Sequence, residues 1–313
     1  VGVEKNNGSG AKMEKIKIVI DSTAYLSQEI LKEYPEIITV PLYVSFGEKS
    51  YREGVDLSQE EFFRMLKKSS AFPTSSQPSV GDFLEVYRPL VEGGYSIISV
   101  HISSRLSGTV DSAQQAAKIV GGDIEVVDSL YTGAGLAFIA LEAARAVRRG
   151  ASKEEVLSRL KAVRDGVTVV FAVDTLEYLH KGGRIGGAQA LLGSLLKIKP
   201  ILFLANGRIE VLEKVRSTAA ARARTIQILE EIREEHPQAR MKVAIHEAET
   251  LKEAQEILED VKKRFSPEEI FISSLGPVLG THTGPGLIGF ACFLEDETGV
   301  FPSWARKHLP KEP

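Results

Sequence analysis

Four polar segments carry residue types that could do chemistry. Phe72-Pro-Thr-Ser-Ser-Gln-Pro-Ser79 sets the hydroxyls of Thr74, Ser75 and Ser76 between two prolines that restrict the backbone on both sides. Ser79 has a structural task as N-cap of a helix over 80–91; the other three have none, and a solvated connection competes evenly with a site. His101-Ile-Ser-Ser-Arg-Leu-Ser-Gly-Thr-Val110 leads into a helix over 110–120. Ser107 alone would cap that helix, yet Ser103, Ser104 and Thr109 stand beside it with Gly108. An anion held by helix N–H groups accounts for them better. Leu275–Gly286 reads as a loop of fixed backbone, with four glycines and two prolines around His282. A structural and a site role stand level for that histidine. Finally, Asp174–Gly187 holds a helical turn and then the basic loop Lys181-Gly-Gly-Arg184. Neither Gly-x-x-x-x-Gly-Lys-Ser/Thr nor a Gly-x-Gly-x-x-Gly after a strand is present, so nucleotide binding has no support.

The elements that must position these residues alternate. Short β-branched runs at 16–20, 37–40, 97–100 and 124–127 are separated by helical patterns, the mark of a parallel sheet covered by helices. Ser58-Gln-Glu-Glu61 and Ser152-Lys-Glu-Glu155 are capping boxes that open two of the helices. Asp21 ends the first strand, where open α/β sheets bind ligands; capping the next turn is an equally good account of it. The second half predicts strands at 167–173, 200–204, 209–213, 243–245, 270–273 and 287–293, with a hairpin at Asn206-Gly207 and helices over 217–235 and 250–265. The fold class is α/β. A break near Asp165-Gly166 gives an N-terminal α/β domain (14–165) with a mainly parallel sheet and a C-terminal α/β domain (166–313) with a mixed one. A cleft between two such domains is a common ligand site. Residues 1–13 are polar and glycine-rich and read as a disordered tail or a cloning remnant.

Composition excludes several classes. The 313 residues are 43% hydrophobic and 26% charged with a net charge of −3, so neither wholesale disorder nor a polyanion-binding surface is indicated, and no nucleic-acid partner is expected. The single cysteine, Cys292, sits among apolar neighbours and reads as a buried inert thiol, so no cysteine-based metal cluster is expected. No apolar run approaches the ~20 residues of a membrane span, and a cytoplasmic location is the expectation.

Taken together and in order, Ile20-Asp-Ser-Thr23, Pro73-Thr-Ser-Ser-Gln-Pro-Ser79, Leu106-Ser-Gly-Thr109, Leu176-Glu-Tyr-Leu-His-Lys-Gly-Gly-Arg-Ile185 and Gly276–Gly286 resemble the signature segments of the DegV family, from about Lys15 to Leu294. The resemblance implies two α/β domains with a long-chain fatty acid (such as palmitate, stearate or oleate) between them. It implies no cofactor, no metal and no catalytic activity. The chain would be the binding subunit that presents the carboxyl group to a separate fatty acid kinase catalytic subunit, with transient membrane contact to exchange ligand. By the same resemblance, Ser75 and Ser107 are the hydroxyl donors to the carboxylate and His282 lies near it, with Thr74, Gly108 and Thr109 completing the head-group site. Ser75 stands where the family usually has Thr, which keeps the hydroxyl. Val110 stands where an aromatic residue is frequent, which alters the nearby pocket.

Physical chemistry agrees with that expectation. At ~0.8 kcal/mol per methylene, a sixteen-carbon chain carries on the order of 11 kcal/mol of aversion to water, so a carrier must sheathe it. A carboxylate, conversely, is costly to bury without hydrogen bonds. Arg184, in a flexible glycine loop beside a second cation, is expected to dock the kinase. The rival reading is a serine hydrolase acting on acyl esters through Ser107, His282 and Asp21 or Asp128, although no Gly-x-Ser-x-Gly elbow is present.

Overall fold

The computed structural model describes residues 14–69, 71–191 and 198–309; the expected N-terminal tail lies outside them. The first half contains β1 (Ile16–Asp21), α1 (Gln28–Glu33), β2 (Ile37–Val40), β3 (Tyr43–Phe46), β4 (Lys49–Arg52), α2 (Gln59–Lys68), β5 (Thr74–Ser76), α3 (Val80–Glu92), β6 (Ser96–His101), α4 (Thr109–Val120), β7 (Ile124–Asp128), α5 (Ala134–Arg148) and α6 (Lys153–Gly166). β1, β2, β6 and β7 form a wholly parallel sheet in the order β2-β1-β6-β7. The chain leaves β1 to one side and returns to β6 on the other, which opens a crevice at their carboxyl ends. One face is covered by α3 and α4 through Phe83, Tyr87, Ala113 and Ala116.

The second half contains β8 (Thr168–Ala172), α7 (Glu177–Lys181), β9 (Lys199–Ala205), β10 (Arg208–Val215), α8 (Thr218–Glu235), β11 (Arg240–Ala248), α9 (Leu251–Phe265), β12 (Glu269–Ser274), α10 (Pro277–Thr283), β13 (Leu287–Asp296) and β14 (Gly299–Val300). Its seven-stranded sheet runs β10-β9-β8-β13-β11-β12, with β14 on β13. β11 and β12 are parallel and the other pairs antiparallel, so the sheet is mixed. Asn206 and Gly207, at φ +50° and +80°, turn the β9–β10 hairpin, the left-handed pair that matches strand twist. Cys292 is fully buried.

Both capping boxes form, and Ser79 makes a third with Asp82. Three local expectations change. Thr74–Ser76 is a strand rather than a loop, and with β3 and β4 it makes a small antiparallel sheet. Gly276–Gly284 is not an irregular loop either. Pro277 starts α10 at a position where its missing N–H is harmless, and Gly284 ends it at φ +68°. Helix α5 had no counterpart in the sequence reading, yet it joins the halves: it packs on β1 and β6 on one side and on β13 on the other. Its Glu142 is buried and reaches Lys242 (2.6 Å) across the junction, besides Arg145 (2.7 Å) on α5 itself and Arg159 on α6. Burial alone would raise that carboxyl, but these cations prevail and hold it at about 2.

Candidate functional site

A cavity of about 210 Å³ lies between the halves, within a cleft whose empty space, mouth included, is about 1000 Å³. β8 to β10 supply Val169, Phe171, Leu204 and Ile209 to its wall, and α10 supplies Val278 and Leu279. The crevice at the end of β6 adds Ile102 and Leu106. Polar groups gather where β5, the start of α4, the turn after α7 and the end of α10 meet.

Ser75 and His282 share a hydrogen bond of 2.7 Å between Oγ and Nε2, joining segments 207 residues apart. His282 is 9% exposed, and its Nδ1 is buried with no hydrogen-bond partner among the described residues. Burial, reinforced by the Arg184 charge, lowers its pKa to about 4, so the ring is neutral at pH 7. An unmatched buried N–H is worse than a bare lone pair, which assigns the proton to Nε2. Ser75 Oγ then accepts from His282, and its own O–H remains free to donate to an anion. Gly182, of the basic glycine loop, lies against this ring: a Cβ there would fall 2.1 Å from His282 Nδ1. The glycine is needed for that close approach.

Ser107 lines the same cavity, with its Oγ 2.9 Å from Thr109 Oγ1. The N-cap of α4 is Gly108, and no side chain caps the helix, contrary to the capping role weighed for Ser107. The first-turn N–H groups therefore lack the usual cap at the end that carries Ser107. Gly108 and Thr109 stand behind Ser107 rather than on the cavity surface: Thr109 is fully buried. Thr74 is a correction. It is exposed and outside the cavity, which Ser75 and Ser76 line.

Arg184 is also placed differently from expectation. Rather than a solvated docking cation, it is half-buried in the cavity wall, where Nε donates to Leu106 O (3.0 Å) and a terminal nitrogen to Gly182 O (2.7 Å). Its charge thus sits at the polar end beside a neutral histidine. Asp21 is structural: it accepts from Thr23 N (3.0 Å) and Ile102 N (2.7 Å), and it faces His101 (3.3 Å) with no exposure.

α10 is held from the first half. Glu53, after β4, accepts from Val278 N (2.7 Å), Tyr25 OH (3.0 Å) and Ser22 Oγ (2.6 Å), while Leu279 N donates to Tyr25 OH (3.1 Å). Two N–H groups at the start of α10 are matched in this way. Burial raises the Glu53 carboxyl to about 7. Thr132 and His246 are among the polar cavity residues that the sequence did not reveal. They carry no motif, and only the fold brings them together.

This arrangement does not form a hydrolase triad. Ser107 bonds Thr109 and not His282, and His282 Nδ1 has no carboxylate to orient it among the described residues. No three His, Cys, Asp or Glu side chains among the described residues are grouped to hold a metal, and no described helix is long and apolar enough to cross a membrane.

The sequence and fold match known proteins closely. The family described as "Uncharacterised protein, DegV family" matches residues 15–295. A DegV domain-containing protein of Halalkalibacterium halodurans is 41% identical over 286 residues, covering 90% of this chain and 100% of that one. A DegV family protein from Thermus thermophilus, whose structure was described for its fatty acid binding, superposes with a TM-score of 0.82 at 36% identity, over 90% of this chain and 100% of that one. A stearic acid-binding protein from Eubacterium ventriosum gives 0.83 at 29% identity, over 90% and 98%. By sequence and by fold, this chain belongs to the DegV family.

Proposed function

We propose that this protein binds one long-chain fatty acid between its two halves and acts as a carrier rather than an enzyme. The observation that carries the reading is an apolar cavity with one polar end. That end holds the free hydroxyl of Ser75 backed by neutral His282, the hydroxyl of Ser107 at an uncapped helix start, and the Arg184 charge. A carboxylate there gains charge-assisted hydrogen bonds, while the aliphatic wall encloses the acyl chain. Fatty acid binding by the Thermus and Eubacterium relatives supports the same assignment.

A domain division near residue 165, a cytoplasmic location and delivery of the bound carboxyl group to a separate kinase belong to this proposal. The part-exposed head-group residues are consistent with delivery, since a carboxylate must stay within reach to be phosphorylated. Titration of delipidated protein with palmitate tests the binding. One site should saturate in the parent, and Ser75→Ala with Ser107→Ala should weaken binding by more than either change alone. Undiminished binding by the double variant would remove the head-group assignment.

A further inference from the structure

A second polar cluster in the cavity wall has no use for a carboxylate already held at Ser75. His246, near the end of β11, lines the cavity and is 4% exposed. Its Nε2 accepts a 3.0 Å hydrogen bond from the N–H of Ala134, the first residue of α5. That bond has a structural purpose, because the N-cap of α5 is Gly133, which has no side chain to cap with. A ring nitrogen that accepts is unprotonated, so in the neutral imidazole the proton sits on Nδ1. The ring is neutral at pH 7, since burial lowers its pKa to about 4. Among the described residues, the bond to Ala134 is the one hydrogen bond of the His246 side chain. Capping therefore explains Nε2 and leaves the Nδ1–H donor without use.

A hydroxyl in the same wall also has no partner. Thr132, two residues before Ala134, also lines the cavity, and its Oγ1 is buried without a hydrogen-bond partner among the described residues. Ile102, Val169 and Leu275 make the surrounding wall apolar. A buried donor or acceptor left unmatched costs roughly 1–3 kcal/mol. An unsubstituted acyl chain would leave both the His246 donor and the Thr132 hydroxyl unmatched.

From this juxtaposition we infer that the cavity selects a fatty acid carrying a hydroxyl group on its chain, placed opposite His246 and Thr132. The hydroxyl oxygen accepts from His246 Nδ1–H, and its proton is donated to Thr132 Oγ1. A keto group meets only the first need. The inference rests on the cavity being a fatty acid site, and the test separates the two claims. Delipidated protein is loaded with a fluorescent fatty acid, which is displaced by stearate and by a series of positional isomers of hydroxystearate. At one chain position the hydroxy acid should bind about five-fold more tightly than stearate, as one neutral buried hydrogen bond allows. In Thr132→Val, and in His246→Leu if it folds without its α5 cap, the ratio of the two affinities should fall to one or below. Thr132→Val keeps that cap and decides the matter alone if necessary. Stearate binding more tightly than every isomer to the parent would overturn this inference and leave the carrier reading standing. Failure of stearate and of all isomers to displace the probe would overturn both.

Discussion

Ser75→Ala and Ser107→Ala remove the same atom from the same cavity, and each leaves a buried neighbour without its partner. Ser75 Oγ is the partner of His282 Nε2 at 2.7 Å, and Nδ1 of that ring already has none. Without the hydroxyl, a ring only 9% exposed has both nitrogens unmatched. Leaving a buried donor unpaired costs about 1–3 kcal/mol, and the half-exposed position of Ser75 favours the lower half of that range. Ser107 Oγ bonds the fully buried Thr109 hydroxyl, so its loss leaves that hydroxyl unmatched at a cost in the same range. Both variants should lose fatty acid affinity, since a hydrogen bond to a charged group contributes roughly 1.5–3 kcal/mol. Ser75→Thr keeps the hydroxyl and should restore both properties. The assay pairs thermal unfolding of delipidated protein with palmitate titration well below the melting range. Each alanine variant should lower the Tm by roughly 2–6 °C. A parental Tm or parental palmitate affinity in Ser75→Ala would refute the pairing of Ser75 with His282.

Two further outcomes follow from charge. Arg184→Ala should weaken palmitate binding, because the guanidinium lies at the polar end of the cavity; unchanged affinity with slower acyl-phosphate formation by a cognate kinase would restore the docking role expected from sequence. The second concerns pH. His246 and His282 have folded pKa values near 4, below the ordinary 6.5, so their contribution is present above 6.5 and is lost as pH falls toward 4. Glu53 acts oppositely: with its folded value raised to about 7, its proton favours the folded state, and that contribution is full below 4.5 and lost as pH rises through 7. Glu53→Gln keeps an acceptor for Val278 N–H and cannot titrate. Between pH 7.5 and 5 its stability should therefore drop relative to the parent by about 2 kcal/mol, and parallel pH profiles in urea unfolding would contradict a buried, titrating Glu53.

Much of this architecture was legible in the sequence because local signals agreed with the global fold. Ser58, Ser79 and Ser152 cap the helices they precede, and Asn206-Gly207 turns its hairpin. Helix α5 escaped because twelve of its fifteen residues are buried. A helix enclosed on all sides shows no polar face and hence no 3.6-residue period to read. α10 was hidden by its glycines, although Pro277 at its start and Gly284 past its end are the usual asymmetry of a short helix. Among the site residues, Ser75, Ser107 and His282 stood out because hydroxyls and a histidine gathered in segments with little structural need for them. Thr74 shared the composition but does not line the cavity. His246 offered no signal, since its strand reads as ordinary core and its partner at Ala134 lies 112 residues away.

The central claim is that the cavity between the halves is a fatty acid site. Native mass spectrometry of protein purified without detergent, followed by lipid extraction from the same sample, tests it without assuming a ligand. The account predicts one fatty acid per chain, lost on delipidation and regained on adding palmitate or stearate. Protein that is recovered free of lipid and takes up neither acid would contradict it.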